Sequence, residues 1–142
     1  MIARLLSFPL ILILSGIAAV AMLLPGLHAL AQGDFSVARA FTYSSILGLV
    51  LVALIGLAMS NHPRRVNSDL NDLLSLFLAF TVLPLFLAVP VYEGLATTSF
   101  LNSYFEMVSS LTTTGATMFA DAGRLTDSLH LWRGMVGWFG GL

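Results

Sequence analysis

Leu5–Ala31 runs for 27 residues without a formally charged side chain, and two further runs, Phe41–Met59 and Leu73–Val91, each hold 19. A helix needs about 20 predominantly apolar residues to cross the hydrocarbon core of a bilayer. A soluble domain is about one-quarter charged; here Asp, Glu, Lys and Arg make up 9% of the chain and apolar residues 58%. The chain therefore belongs in a membrane, and the runs predict three transmembrane helices. In hydrocarbon every backbone N–H and C=O must be satisfied within the segment, which makes the spans α-helical. Arg4 and Ala29-Leu30-Ala31 mimic the two ends of a secretory signal, but the apolar region of a signal is about 7–15 residues long, and Leu5–Ala31 is nearly double that.

Prolines and charges organise the spans. Pro9 lies near the start of the first, where a missing N–H costs little, and Pro25-Gly26 near its end predicts a kink or stop. Pro84 predicts a bend in the third span, and Pro90-Val91-Tyr92-Glu93-Gly94 reads as its exit. Gly48 and Gly56 lie close to one face of the second span, either for close helix approach or as ordinary glycine tolerance. His28 reads as an interfacial or helix-packing residue rather than a ligand. Asn61–Asp72 carries Arg64 and Arg65, and basic residues favour the cytoplasmic side. That orientation puts Arg4 and the N-terminus in the cytoplasm and the Gln32-Gly33-Asp34 turn outside, with Arg39 an exception on the outer side. Glu93 is then an outer boundary charge, either simply solvated or drawing cations to a mouth.

Several function classes are excluded. The net charge of −1 leaves no basic patch for nucleic acid. The chain has no Cys, which removes disulfides and thiolate ligands. Its three His lie far apart, and neither a P-loop nor a GxSxG is present. An intramembrane enzyme needs a nucleophile with a base, paired carboxylates or metal ligands within a span. The three runs offer no acid or base except His28, so neither an enzyme nor a cofactor is expected.

The segment Thr97–Leu111 is too short and too polar to span. Asn102 or Ser103 can cap a helix there, and Ser103-x-x-Glu106 fits a capping box. A helix over 103–111 would be about 13 Å long, under half the hydrocarbon core of about 30 Å. It should dip into the membrane and stop, with its C-terminal carbonyls, partially negative, pointing inward. Thr112-Thr113-Thr114-Gly115-Ala116-Thr117 follows, where the chain must turn back. Irregular backbone at that depth is tolerated only where it is buried in protein or lines a water-filled path, and carbonyls on such loops can replace the hydration shell of a cation. Gly115 can take backbone angles forbidden to the neighbouring threonines. Asp121, Arg124, Asp127 and His130 mark the return to the outer surface. Leu131–Leu142 then begins a further helix with Trp at an interface and a Gly-rich face, and the chain reads as ending inside that element, as a fragment would.

Phe105-Glu106, Ser110–Thr117, Trp132-Arg133 and Trp138-Phe139-Gly140-Gly141, with Pro25-Gly26-Leu27 earlier, resemble the Trk/Ktr/HKT superfamily of potassium transporters, and within it the bacterial Trk-type uptake subunits. The resemblance implies an all-α integral membrane protein with three transmembrane helices, a re-entrant pore helix with a filter loop, and the start of a fourth helix. Residues 1–60 would be an N-terminal two-helix extension, and 61–142 the first helix–pore-loop–helix repeat, truncated in its inner helix. By the same resemblance Thr112, Thr113, Thr114, Gly115, Ala116 and Thr117 form the filter, and carbonyls of Thr113, Thr114 and Gly115 coordinate K⁺. Asn102 and Glu106 support the pore helix, with Glu106 holding the loop from behind. The implied partners are K⁺, membrane lipid, the remaining pore repeats, a second copy in a homodimer and a cytosolic nucleotide-binding regulatory subunit, all at the bacterial inner membrane. The family's other three repeats and its intramembrane gating loop are missing, so this stretch supplies only a quarter of an ion cage. The loop also lacks the Tyr-Gly of a TVGYG filter, for which fewer ion sites are expected. The competing reading is a non-transporting membrane anchor or assembly module, in which the threonines are merely a polar turn.

Overall fold

The computed structural model describes residues 10–59 and 69–142, without the side chains of residues 69–72 and 75. The start of the first run, Arg4, and the Arg64-Arg65 pair that orients the chain lie outside the described residues. Those residues form α1 (Leu10–Ala21), α2 (Leu23–Ala31), α3 (Phe35–Met59), α4 (Asp69–Thr81), α5 (Leu83–Leu95), α6 (Phe100–Leu111), a 3₁₀ turn over Ala122–Arg124, and α7 (Asp127–Gly141), with no strand among them. Among the described residues, three stretches are long and apolar enough to cross a membrane: Leu10–Ala31, Phe35–Met59 and Leu76–Leu95.

Two of these spans are each made of two helices, and proline is the cause. Pro25 has no N–H for the carbonyl of Ala21, and the helix is interrupted at Met22 between α1 and α2, although Met22 N–H still donates to Ala18 and Gly26 N–H to Met22. The expected kink is thus one turn before Pro25, and the helix then carries on to Ala31. Pro84 likewise cannot reach Phe80, and the chain breaks at Val82 between α4 and α5. The Tyr104 hydroxyl of α6 donates to the carbonyl of Thr81 at 3.0 Å, which satisfies a backbone group at that break.

The helices pack around Phe41, Trp132, Met22, Met107 and Leu129, all fully buried. Of the two Trp in the helix expected to place Trp at an interface, Trp132 is a core residue. Its ring meets Phe41 edge-on at 5.7 Å, and its indole N–H donates to the carbonyl of Leu87 at 3.2 Å, so its one polar atom is satisfied inside the protein. Trp138, by contrast, is 66% exposed. His28 is a helix-packing residue: its Nδ1 lies 2.8 Å from the Ser128 hydroxyl, linking α2 to α7. The hydroxyl of Ser45 reaches back from α3 to the carbonyl of Ala19 at 2.7 Å. Gly48 lets the ring of Phe86 and the methyl of Ala19 press onto α3, which favours the close-approach reading of that glycine.

Outward, α3 and α4 show a row of exposed apolar side chains, among them Ile46, Leu47, Val50, Leu54, Leu73 and Phe77. Exposed apolar side chains in such numbers on two helices mark faces meant for lipid or for other protein. Helix α3 begins at Phe35, six residues before the charge-free run, and so takes Arg39 into its second turn.

Helix α7 begins at Asp127 rather than Leu131, and its glycines let it lie against the end of α6. A Cβ on Gly140 would collide with the carbonyl of Leu111, one on Gly137 would sit 3.5 Å from the carbonyl of Ser110, and one on Gly134 would meet nothing within 4 Å. The three substitutions to Ala are therefore graded. Gly140→Ala should destabilise the chain by at least about 1–3 kcal/mol, the cost of overpacking against backbone that cannot yield. Gly134→Ala should be neutral or slightly stabilising, since Ala is the better helix former by about 1 kcal/mol. Unfolding titrations in detergent check the order.

Candidate functional site

The site is built at the C-terminal end of α6. Ser99, not Asn102 or Ser103, caps the start of that helix: it has extended backbone angles, and its hydroxyl accepts from the N–H of Asn102. Three candidates stand within five residues, and the one that lets Phe100 and Leu101 join the helix prevails. The capping box over Ser103 and Glu106 does not form, because Ser103 lies buried inside the helix with its hydroxyl 3.4 Å from the carbonyl of Ser99. Helix α6 is then 12 residues long, about 18 Å, still well short of a hydrocarbon core of about 30 Å.

At its other end α6 closes with two crossed hydrogen bonds. Thr114 N–H donates to the carbonyl of Ser109 at 2.9 Å, and Thr113 N–H to that of Ser110 at 3.0 Å. This is a Schellman cap, whose pivot residue is normally glycine in a left-handed conformation. Here the pivot is Thr113, at φ 57°. A β-branched residue at positive φ is a genuine outlier, and conformations of this kind cost about 1–3 kcal/mol and persist only where their surroundings over-determine them. The expectation that only Gly115 would leave the usual backbone regions is thus corrected: Gly115 is at φ 76°, and Thr113 joins it.

The side chains that hold the loop come from α6 and from the loop itself. The Ser109 hydroxyl donates to the carbonyl of Ala116 at 2.6 Å. The Thr112 hydroxyl donates to the carbonyl of Val108 at 2.8 Å and lies 2.8 Å from the Thr114 hydroxyl. The carbonyls of Thr112, Thr113, Thr114 and Gly115 accept no hydrogen bond from any described residue, and residues 112–118 are all exposed. Of the six residues expected in the filter, Ala116 therefore has its carbonyl engaged, and Thr117 turns its side chain away to a carboxylate.

That carboxylate is Glu106, fully buried. Its Oε1 accepts from the Thr117 hydroxyl at 2.7 Å and from the N–H of Met118. Its Oε2 lies 2.9 Å from Nε of Arg133 on α7. The N–H is not aligned with that oxygen, and neither atom has another hydrogen-bond partner among the described residues, so the two are held by charge rather than by a directed bond. One side chain thus ties α6, the returning strand of the loop and α7. Asn102 is not brought to the loop: it sits ten residues away, in the first turn of α6, where its N–H donates to Ser99 and its side chain bonds to no described residue.

Sequence reasoning missed Ser109, Arg133 and Ser99. Each acts through a neighbour that spacing alone does not select; Arg133 is 27 residues from its partner. A groove of about 430 Å³ runs beside the loop, lined by Ser109, Thr113, Gly115, His130, Arg133 and Gly137 among others. Removing one partner of a buried ion pair costs about 3–5 kcal/mol. Arg133 keeps 22% of its side-chain exposure, which places Glu106→Gln at the low end of that range. In a double-mutant cycle with Arg133→Gln, measured by unfolding in detergent, the double variant should lose clearly less than the sum of the singles.

The Trk system potassium uptake protein TrkI of Halomonas elongata is 38% identical over 65 residues, 46% of this chain and 13% of the relative. The Trk system potassium uptake protein TrkH of Salmonella typhimurium is 33% identical over 122 residues, and that of Escherichia coli 30% identical over 122, in both cases 85% of this chain and 25% of the relative. The chain spans about a quarter of the length of these TrkH proteins. No protein-family model matches it. No solved structure matches it either. The relatives of this chain are Trk system potassium uptake proteins, and over 85% of its length it is a TrkH-like sequence.

Proposed function

We propose that the chain carries potassium across the bacterial inner membrane as part of a Trk-type uptake subunit, contributing one of several filter segments around a pore. The observation that carries this reading is the run of four consecutive carbonyls, Thr112 to Gly115, left without hydrogen bonds at the C-terminal end of a short helix. Such carbonyls, joined to a helix end of partial negative charge, suit a desolvated monovalent cation. The strain at Thr113 supports it, since an observed backbone outlier is where function is sought. The ion is taken from the relatives, which are potassium uptake proteins.

In this reading α6 is a re-entrant pore helix, Thr112–Thr117 its filter and α7 the start of an inner helix. Residues 1–60 form a two-helix extension, and 61–142 the first helix–pore-loop–helix repeat. The N-terminus is cytoplasmic. Glu106 and Arg133 position the loop; both carboxylate oxygens of Glu106 are committed to protein atoms, which keeps it from being an ion ligand. The rest of the cage comes from the remainder of a longer protein, which by family resemblance pairs as a homodimer and takes a cytosolic nucleotide-binding subunit. Potassium is cargo, and transport of it requires neither a catalytic residue nor a cofactor in this chain.

The test is a chimera. The matching segment of Escherichia coli TrkH is replaced by this chain, in a host without its own potassium uptake, and growth is followed against external K⁺. The chimera should restore growth at low K⁺. Gly115→Ser puts a side chain on a residue at φ 76°, which costs about 1–2 kcal/mol of backbone strain. It should raise the K⁺ needed for half-maximal growth by about tenfold, the factor that corresponds to 1.4 kcal/mol, or admit Na⁺. A chimera that restores growth equally well with Ser at 115 would make the threonines a polar turn and favour the non-transporting module.

A further inference from the structure

A second feature lies away from the loop, where α3 begins and α5 ends. Residues 36–47 of α3 and 89–93 of α5 border a cleft of about 260 Å³, lined by Ser36, Arg39, Tyr43, Ser44, Val89 and Glu93 among others. It is the meeting place of one cation and one anion that do not pair. Arg39 and Glu93 are both exposed, and neither makes an ion pair or a side-chain hydrogen bond with any described residue. Opposite charges that share a small cleft without joining each other present two separate binding points.

The depth of the cleft identifies what reaches it. Helix α3 is 25 residues long, about 37 Å, which exceeds a hydrocarbon core of about 30 Å by little more than one turn, and the charge of Arg39 favours having that excess at its start. Arg39 is in its second turn, and Glu93 is in the last turn of α5, which ends at Leu95. Tyr43 and Tyr92 beside them are exposed aromatic residues of the kind that collect at headgroup level. Leu47 lines the cleft, and Val50, Leu54 and Leu85, which lie deeper on the same helices, are exposed apolar residues. The cleft is smaller than the roughly 300–1,000 Å³ of pockets that enclose drug-sized ligands. It suits a headgroup, with acyl tails running outside along those apolar residues.

We infer that this cleft binds the headgroup of a zwitterionic phospholipid of the phosphoethanolamine type. Arg39 takes the phosphate, with the hydroxyls of Ser36 and Tyr43 as further donors, and Glu93 takes the ammonium. A guanidinium is the better phosphate partner because its planar fork offers two parallel N–H donors. An anionic lipid without an amine would satisfy Arg39 and leave Glu93 beside its negative charge. The site therefore discriminates by headgroup charge, and it rests only on the membrane placement of α3 and α5, not on the pore reading.

The test is native mass spectrometry of the delipidated chain in detergent, titrated with phosphatidylethanolamine and phosphatidylglycerol of identical acyl chains. Phosphatidylethanolamine adducts should exceed phosphatidylglycerol adducts by about two- to fivefold, the scale of one solvent-exposed ion pair. Glu93→Gln should bring the ratio to about one. Arg39→Gln should weaken both lipids, and Arg39→Lys should restore much of the binding. Both positions are exposed, and an unchanged thermal transition confirms that the variants fold. Equal adducts in the parent chain, or a preference that survives Glu93→Gln, would overturn the assignment. So would lipid-free dimers that dissolve with either variant, since the cleft would then belong to a second copy of the chain.

Discussion

A carboxylate buried on a 12-residue helix has to be compensated, and the compensation that Glu106 finds shapes everything around it. Two donors come from the returning loop and one cation from α7. Isolated burial of that charge would cost far more than a short helix is worth. The loop is thus obliged to return past the side of α6 at Thr117-Met118, and α7 is obliged to present Arg133 there. The glycines of α7 follow from the same constraint: with Arg133 drawn to α6, Gly137 and Gly140 fall against the carbonyls of Ser110 and Leu111, where a side chain at Gly140 has no room. Trp132, next to Arg133, then drops into the core against Phe41 and Leu87.

With the return of the loop set from behind, its front has limited choice. The chain must leave the end of α6 and come back within five residues, Thr112 to Ala116, whose last carbonyl Ser109 holds. A Schellman cap reverses the direction, and Thr113 has to occupy the left-handed position where glycine would be easier. The hydroxyls of Thr112 and Ser109 bond to protein, and Thr117 bonds to Glu106. Four consecutive carbonyls, Thr112 to Gly115, are left without a partner among the described residues, as is the hydroxyl of Thr113. A loop in which three hydroxyls fix the shape while a run of carbonyls stays free differs from an ordinary polar turn, in which the carbonyls are shared out.

The spans were legible in the sequence because absence of charge over about 20 residues has few other meanings. Pro25 and Pro84 also announced breaks, although the interruptions fall at Met22 and Val82, where the missing N–H is felt, rather than at the prolines themselves. The loop was legible because Thr-Thr-Thr-Gly interrupts an otherwise apolar sequence with hydroxyls and a glycine, and the backbone there is irregular. What could not be read depended on contacts distant in sequence. Arg133 was a charge in a helix start until the fold put it beside Glu106, and nothing local separated Trp132 from Trp138 as the buried one, because the hydrogen-bond partner of Trp132, Leu87, is 45 residues away. The start of α6 was misread for the opposite reason: Ser99, Asn102 and Ser103 are all competent caps, and local preference does not rank them. Thr113 at positive φ contradicts its own propensity, so only the tertiary restraints could place it there.

The central claim is that the free carbonyls of Thr112 to Gly115 face a potassium ion. The most direct measurement is the structure of the chimeric transporter in K⁺, with anomalous scattering used to find the ion. The account predicts a potassium peak bounded by the carbonyls of Thr113, Thr114 and Gly115, with the Glu106–Arg133 pair intact behind the loop. An ordered loop with no ion beside it, its carbonyls hydrogen-bonded to protein instead, would contradict the account.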